Sequence, residues 1–331
     1  MFIASIKPDR ITVRYENNKP SIMKLWEDKI YRQSQPIPDN LKKKKESWKL
    51  SYQSKRKIQD SAAYLSTMAP RRTIKVSDKK FIYNFKTSFI TLTLPSKQKH
   101  GDKEIKSCLN NFLTTMRTRY GWNNYIWKAE LQQNENIHFH IITDQFTHWA
   151  IIRHTWNNAI NNLGYVDHYT EKFKNLSLKE YAEQRNLPIQ KALNPWLYGN
   201  KTKWKSPGTE NVKSITNAKT TAYYIAKYIS KDSGKKELTE AEKERIKNFG
   251  RTWGRSQSLS RIKYVTRYCW NSLEAEIKKM DKTMESFSVC VYDYCTVLYI
   301  NFENITPRIK RWLQKIMWGL AQSYHYPIPA T

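Results

Sequence analysis

Cysteine is scarce in this chain. The four cysteines, Cys108, Cys269, Cys290 and Cys295, form no Cys-x-x-Cys pair. That spacing indicates neither a structural zinc site nor a disulfide framework, and makes a reducing cytoplasm the expected location. No apolar run approaches the roughly 20 residues needed to span a bilayer, and Met1 to Arg14 lacks the apolar stretch of a signal peptide. No membrane association is expected. A Gly-x-x-x-x-Gly-Lys-Ser/Thr phosphate loop is missing, so no fused helicase is expected. No internal repeat is present. Acidic residues are few: 29 Asp+Glu stand against 58 Lys+Arg, a net charge of +29 over 331 residues. Such an excess creates a positive field that attracts polyanions. What the chain does have, beside that charge, is 12 Trp and 21 Tyr. Cationic grooves that track phosphates, with rings that stack on bases, suit single-stranded nucleic acid. A ribosome-like or merely basic protein is the competing reading of the same composition.

The punctuation of the chain divides it into three expected parts. Residues 1–80 read as a basic N-terminal arm, with Pro36, Pro38 and the run Lys42-Lys43-Lys44-Lys45. Residues 81–262 read as the main domain. Within it, Ser88 to Leu94 alternates as a strand and Asp102 to Arg119 carries Ile105, Leu109, Phe112 and Met116 at helical spacing. Asn124 to Leu131 is expected as a strand, Gln133 to Glu135 as part of a polar turn, and Ile137 to Thr143 as the next strand, paired antiparallel with it. Thr147 to Leu163 reads as a helix. Residues 164–216, with Pro188, Pro195 and Pro207, read as a less regular insertion. Asn217 to Lys231 and Leu238 to Asn248 read as helices. Residues 263–331 form a C-terminal extension, β-like over 286–302 and helical from Pro307 to Gln322.

The segment Asn136-Ile137-His138-Phe139-His140-Ile141-Ile142 concentrates the chemistry. Successive side chains of a strand point to opposite faces, so His138 and His140 leave one face together while Ile137, Phe139 and Ile141 bury the other. Two neutral imidazoles so placed are a ready pair of metal ligands, though a strand with two solvated histidines shows the same pattern. Glu130 lies on the preceding strand. In an even register it sits opposite His138 or His140 and on their face, and a one-residue slip sends it to the other. Two imidazoles and a carboxylate suit Mg²⁺ or Mn²⁺ with open positions for a phosphate and water. The competing role for Glu130 is an ion pair with a lysine such as Lys128.

A second segment, Ala222-Tyr223-Tyr224-Ile225-Ala226-Lys227-Tyr228-Ile229-Ser230-Lys231, has helical periodicity. At roughly 100° per residue, Tyr224, Lys227, Tyr228 and Lys231 share one arc, opposite Ala222, Ile225, Ala226 and Ile229. Tyrosine is a covalent nucleophile when helped, because its unperturbed pKa is about 10. A metal polarising a phosphate, and lysines beside the phenols, supply that help. Tyrosines simply resting at a helix surface give the same pattern. Tyr223 points away from the cluster.

Taken in order, Phe89-Ile90-Thr91-Leu92-Thr93, His138-Phe139-His140 and Tyr224 to Lys231 resemble the HUH endonuclease superfamily, specifically rolling-circle replication initiators of the two-tyrosine class found in small single-stranded DNA phages. Phe249 to Ser256 also resembles the segment just after the tyrosine helix in phage initiators. The resemblance covers residues 81–262. It implies an α+β fold: a central antiparallel sheet flanked by helices. It implies a metal-dependent DNA endonuclease and strand transferase, with His138, His140 and Glu130 holding Mg²⁺ or Mn²⁺. Tyr224 and Tyr228 would be alternating nucleophiles forming a 5′-phosphotyrosine, and Lys227 and Lys231 would stabilise phosphate charge. The implied partner is a single-stranded DNA origin, as an open strand or a hairpin, with a host helicase and polymerase completing replication. A plasmid relaxase or tyrosine transposase of the same superfamily is the nearest alternative, although relaxases generally place the tyrosine near the N-terminus. A non-catalytic single-stranded nucleic-acid-binding protein is the alternative from another class.

Overall fold

The computed structural model describes residues 2–7, 9–15, 50–132, 134–216, 244–245, 248–261, 266–293, 295–301 and 304–319. The chain divides into two compact units, one built from Pro70–Thr216 and Arg251–Leu259, the other from Met1–Ala69, Asn217–Gly250 and Ser260–Thr331. The described elements are mixed helices and antiparallel sheets, the α+β class expected.

The second of these units holds strands β1 (Phe2–Ile6) and β2 (Arg10–Tyr15) and helix α1 (Tyr52–Met68). The other unit, Pro70–Thr216 with Arg251–Leu259, contains strands β3 (Arg72–Ser77), β4 (Lys80–Phe85) and β5 (Thr87–Leu92), helix α2 (Asp102–Tyr120), strands β6 (Tyr125–Leu131) and β7 (Ile137–Thr143), helices α3 (Trp149–Asn161), α4 (Tyr165–Phe173), α5 (Leu178–Gln184) and α6 (Ile189–Lys201), and strands β8 (Glu210–Ile215) and β9 (Trp253–Arg255). After helix α7 (Gln257–Arg261) come β10 (Thr266–Cys269), α8 (Trp270–Met280), β11 (Phe287–Tyr292), β12 (Cys295–Ile300) and α9 (Pro307–Gly319).

The sheet that matters for function has five strands in the order β8-β5-β7-β6-β9, every neighbouring pair antiparallel. Its inner face is made by the period-two alternation of β6 and β7. Trp127 and Phe139 meet edge to face at 6.3 Å, and Phe139 meets Trp156 of α3 at 6.0 Å. Phe112 of α2 closes the cluster against Trp156 and Trp122. Helix α2 buries Ile105, Leu109, Phe112 and Met116, the residues that mark its apolar stripe in the sequence. It starts at Gly101, whose N–H donates to Glu104 Oε2 at 2.8 Å, and stops at Gly121, which takes the left-handed conformation that favours glycine. Buried indole N–H groups are satisfied: Trp156 donates to the Thr93 carbonyl at 2.7 Å and Trp122 to Thr147 Oγ1 at 2.9 Å.

The turn between β6 and β7 is held by Gln132 N–H to Asn136 O at 2.8 Å and Glu135 N–H to Gln132 O at 2.9 Å, with Glu135 at φ 64°. The Asn136 side chain accepts from Gln98 N–H at 2.7 Å and donates to Ser96 O at 2.8 Å, so the turn is tied to the loop after β5.

Residues 164–216 differ from the expected irregular insertion. Helices α4, α5 and α6 form a lobe around its own core of Phe173, Tyr181, Ala182, Ala192 and Trp204. The prolines that read as loop punctuation have other places: Pro188 sits at the N-cap of α6 and Pro195 inside that helix. Strand β8 then leaves the lobe and joins the central sheet, Thr87 pairing with Ile215 and Leu92 with Glu210. Arg153 on α3 forks onto Glu210 with both N···O distances 2.8 Å, and its guanidinium lies over Trp149.

The unit that holds both chain ends also departs from the expected arm and extension. Its five-stranded sheet runs β10-β1-β2-β12-β11, so strands from both ends of the chain pair with each other. Lys7 is buried and paired with Asp60 of α1 at 3.0 Å. The C-terminal β-like stretch is a hairpin of β11 and β12, and α9 begins at Pro307 as expected. The Lys42–Lys45 run and the expected helices over 217–231 and most of 238–248 lie outside the described residues.

Candidate metal centre

Strand register decides what the outer face of the sheet carries. Glu130 pairs with His138 and Lys128 with His140 across β6 and β7, the even register that puts all four side chains on one face. His140 is flanked on its other side by Thr91 of β5. The one-residue slip that would send Glu130 to the opposite face does not occur.

The three candidate ligands converge. Glu130 Oε2 lies 3.4 Å from Nε2 of His138 and 3.4 Å from Nε2 of His140, and one ligand atom from each residue falls within 4.8 Å of the others. The two imidazole rings meet edge to face with centroids 4.4 Å apart. The second oxygen, Oε1, faces Lys128 Nζ at 3.3 Å, an ion pair rather than a well-formed hydrogen bond. Both roles open to Glu130 therefore coexist, one on each carboxylate oxygen.

Electrostatics favour a ligand set in its metal-binding protonation state. Burial alone raises the Glu130 carboxyl, but the hydrogen bonds from His138 and His140 and the charge of Lys128 outweigh it and hold the group below the ordinary carboxylate range. Burial pushes the His140 imidazole down, against the opposing hydrogen bond to Glu130. An ionised carboxylate beside a neutral imidazole is what coordination requires. His138 Nδ1 is buried without a hydrogen-bond partner. The mixed nitrogen and oxygen donors, all on one face, fit a divalent cation with positions left for other ligands. Among the described residues this is the one cluster of three such groups.

Two neighbours of the site are not evident from the sequence. Thr91 Oγ1 lies 3.1 Å from His140 Nδ1, and the Phe89 ring stacks on the His140 ring at 5.4 Å and 22°. Both belong to the Phe89–Thr93 segment, to which the sequence attaches a resemblance but no chemistry; period-two spacing is its only signal. On the far side of β6, Trp253 pairs with Lys128 and Gly254 with Trp127. The 249–256 stretch, similar to phage initiators, thus supplies the edge strand beside Glu130. Tyr224, Lys227, Tyr228 and Lys231 lie outside the described residues.

An α+β domain whose antiparallel sheet presents a Glu-His-His cluster on one face has the layout expected of a Rep-type initiator. Residues 87–233 match the model of a family described as replication-associated protein, ORF2 type, which identifies that segment as replication-associated and supports a Rep-type replication initiator. No curated protein and no solved structure matches the chain. No helix among the described residues is long and apolar enough to cross a membrane.

Proposed function

We propose that the protein initiates rolling-circle replication by nicking and rejoining single-stranded DNA at an origin through a 5′-phosphotyrosine. The observation that carries this reading is the convergence of Glu130, His138 and His140 within the replication-associated segment. These three residues would hold Mg²⁺ or Mn²⁺. When bound, the ion supplies charge that polarises the scissile phosphate. Glu130 and the imidazoles orient the substrate through it, and Lys128 adds a second positive charge on the same face.

The phenol oxygen of Tyr224 or Tyr228 attacks the phosphorus and gives up its proton. The bond to the 3′-oxygen breaks, and the departing oxygen takes a proton to become the 3′-hydroxyl that primes synthesis. Lys227 and Lys231 stabilise the charge on phosphate and leaving group. The phosphotyrosine keeps the bond energy, so the reverse attack by a 3′-hydroxyl rejoins the strand. With two tyrosines, one can attack while the other holds DNA. A host helicase and polymerase in the cytoplasm would supply unwinding and synthesis.

The test is incubation of the full chain with labelled single-stranded origin DNA and Mn²⁺. A covalent protein–DNA adduct that disappears in the Tyr224→Phe/Tyr228→Phe double variant supports the reading. Tight binding with intact DNA across candidate origins would point instead to a non-catalytic single-stranded DNA-binding protein.

A further inference from the structure

We propose that Thr91 is a positioning residue for the metal centre, its hydroxyl holding the His140 ring so that Nε2 faces Glu130. The inference rests on the metal-binding role given to Glu130, His138 and His140 above. Thr91 sits directly across from His140 in the β5–β7 register, and its Oγ1 lies 3.1 Å from Nδ1 while Nε2 lies 3.4 Å from Glu130 Oε2. The ring is therefore held at both nitrogens, and Phe89 stacks on its face.

A hydroxyl is suited to this place because it both donates and accepts. With Nε2–H directed at Glu130, Nδ1 carries a lone pair and the threonine O–H donates to it. For Nε2 to bind a cation, its lone pair must face outward and the proton must sit on Nδ1, where Thr91 Oγ1 accepts it. A carbonyl or carboxylate at this position would satisfy only the second tautomer. Thr91 keeps the ring in one orientation through both, so the imidazole passes from carboxylate to cation without rotating. Ligating histidines commonly depend on such a partner, whose loss costs about 10- to 100-fold in metal affinity.

The experiment is isothermal titration of the full chain with Mn²⁺, comparing wild type, Thr91→Val, Thr91→Ser and His140→Ala, with thermal unfolding followed in parallel. Valine keeps the branched shape that suits a strand and removes the hydroxyl, while serine keeps the hydroxyl and removes the methyl. Thr91→Val is expected to weaken Mn²⁺ binding about tenfold or more, and Thr91→Ser to bind close to wild type. The serine rescue separates positioning from packing even if the valine variant melts early. Wild-type affinity in Thr91→Val, or equal loss in Thr91→Val and Thr91→Ser, overturns the role of Thr91. If that occurs while His140→Ala loses binding, the metal centre stands without it. If wild type binds no Mn²⁺, the metal centre and the role of Thr91 fall together.

Discussion

Glu130 stands directly opposite His138 across the β6–β7 hairpin, and one of its carboxylate oxygens lies 3.4 Å from Nε2 of both His138 and His140. The carboxylate is the only charged member of the cluster that attracts a cation, so its neutral isostere separates charge from shape. Glu130→Gln is expected to lower Mn²⁺ affinity at least about tenfold, the scale on which altered metal sites lose affinity. The two imidazoles also set an order: Mn²⁺ accepts nitrogen ligands more readily than Mg²⁺ and should bind more tightly. Isothermal titration of both ions into both proteins reads the two effects, and unchanged Mn²⁺ affinity in Glu130→Gln would remove Glu130 from the ligand set.

The same contact makes a pH prediction. Burial holds the His140 pKa below its ordinary value, and the hydrogen bond to Glu130 partly offsets this. In the metal-free protein, His140 should titrate below the ordinary value of about 6.5, and lower still in Glu130→Gln. The unfolded chain takes up this proton before the folded one, so the contribution to stability is complete above about 6.5 and declines as pH falls through that value. Nitrogen-resolved NMR of His140 during a pH titration checks the order. A higher His140 pKa in Glu130→Gln would contradict the assigned balance of burial and hydrogen bonding.

Strand β7 is legible to the residue, because Ile137 to Thr143 alternates apolar and polar positions beside a polar turn. The register that makes Glu130 a neighbour is not, because a period of two fits either face until Glu135, Gln132 and Asn136 close the turn. Thr91 is invisible as a partner of His140 for the related reason that β5 reaches β7 only through non-local pairing. The same limit hides the sheet built from both chain ends: Ile3 pairs with Cys269, and no local pattern links them. The α4–α6 lobe is hidden because its prolines read as breakers. Pro188 stands where a helix starts, and aromatic packing around Trp204 outweighs the disruption by Pro195.

Gly254 supports the site from beneath. It pairs with Trp127 at the β6–β9 edge, and a methyl group built there would lie 2.5 Å from Trp127 Nε1. Trp127 is itself packed against Phe139, between the two histidines. Gly254→Ala should force the indole aside and destabilise the protein by about 1–3 kcal/mol, measured by urea unfolding. An unchanged midpoint would mean that the edge strand moves away at no cost.

The α4–α6 lobe has a core separate from the cluster around Phe139. Trp204 is 2 % exposed and touches Phe173, Tyr181 and Tyr169. Trp204→Ala should cost about 3–5 kcal/mol, yet leave Mn²⁺ binding intact, because none of the candidate ligands lies in the lobe. Urea unfolding and Mn²⁺ titration of the same variant give the two readouts. Loss of metal binding under conditions where the variant remains folded would show that the lobe and the metal centre are coupled.

Lys128 places a positive charge 3.3 Å from Glu130 Oε1 and across from His140. In the metal-free protein that charge stabilises the carboxylate; toward an incoming dication it is repulsive. Two unit charges about 4 Å apart interact by about 1 kcal/mol even in a water-like medium. Against that stands the weakened hold on the Glu130 carboxylate once the lysine is gone, a smaller effect because both imidazoles still bond to Oε2. Lys128→Gln should therefore raise Mn²⁺ affinity by roughly fivefold, and the gain should shrink as salt screens the remaining field. Titrations at low and high ionic strength test both statements. Weaker Mn²⁺ binding in Lys128→Gln at either ionic strength would mean that the lysine acts chiefly by fixing the position of Glu130.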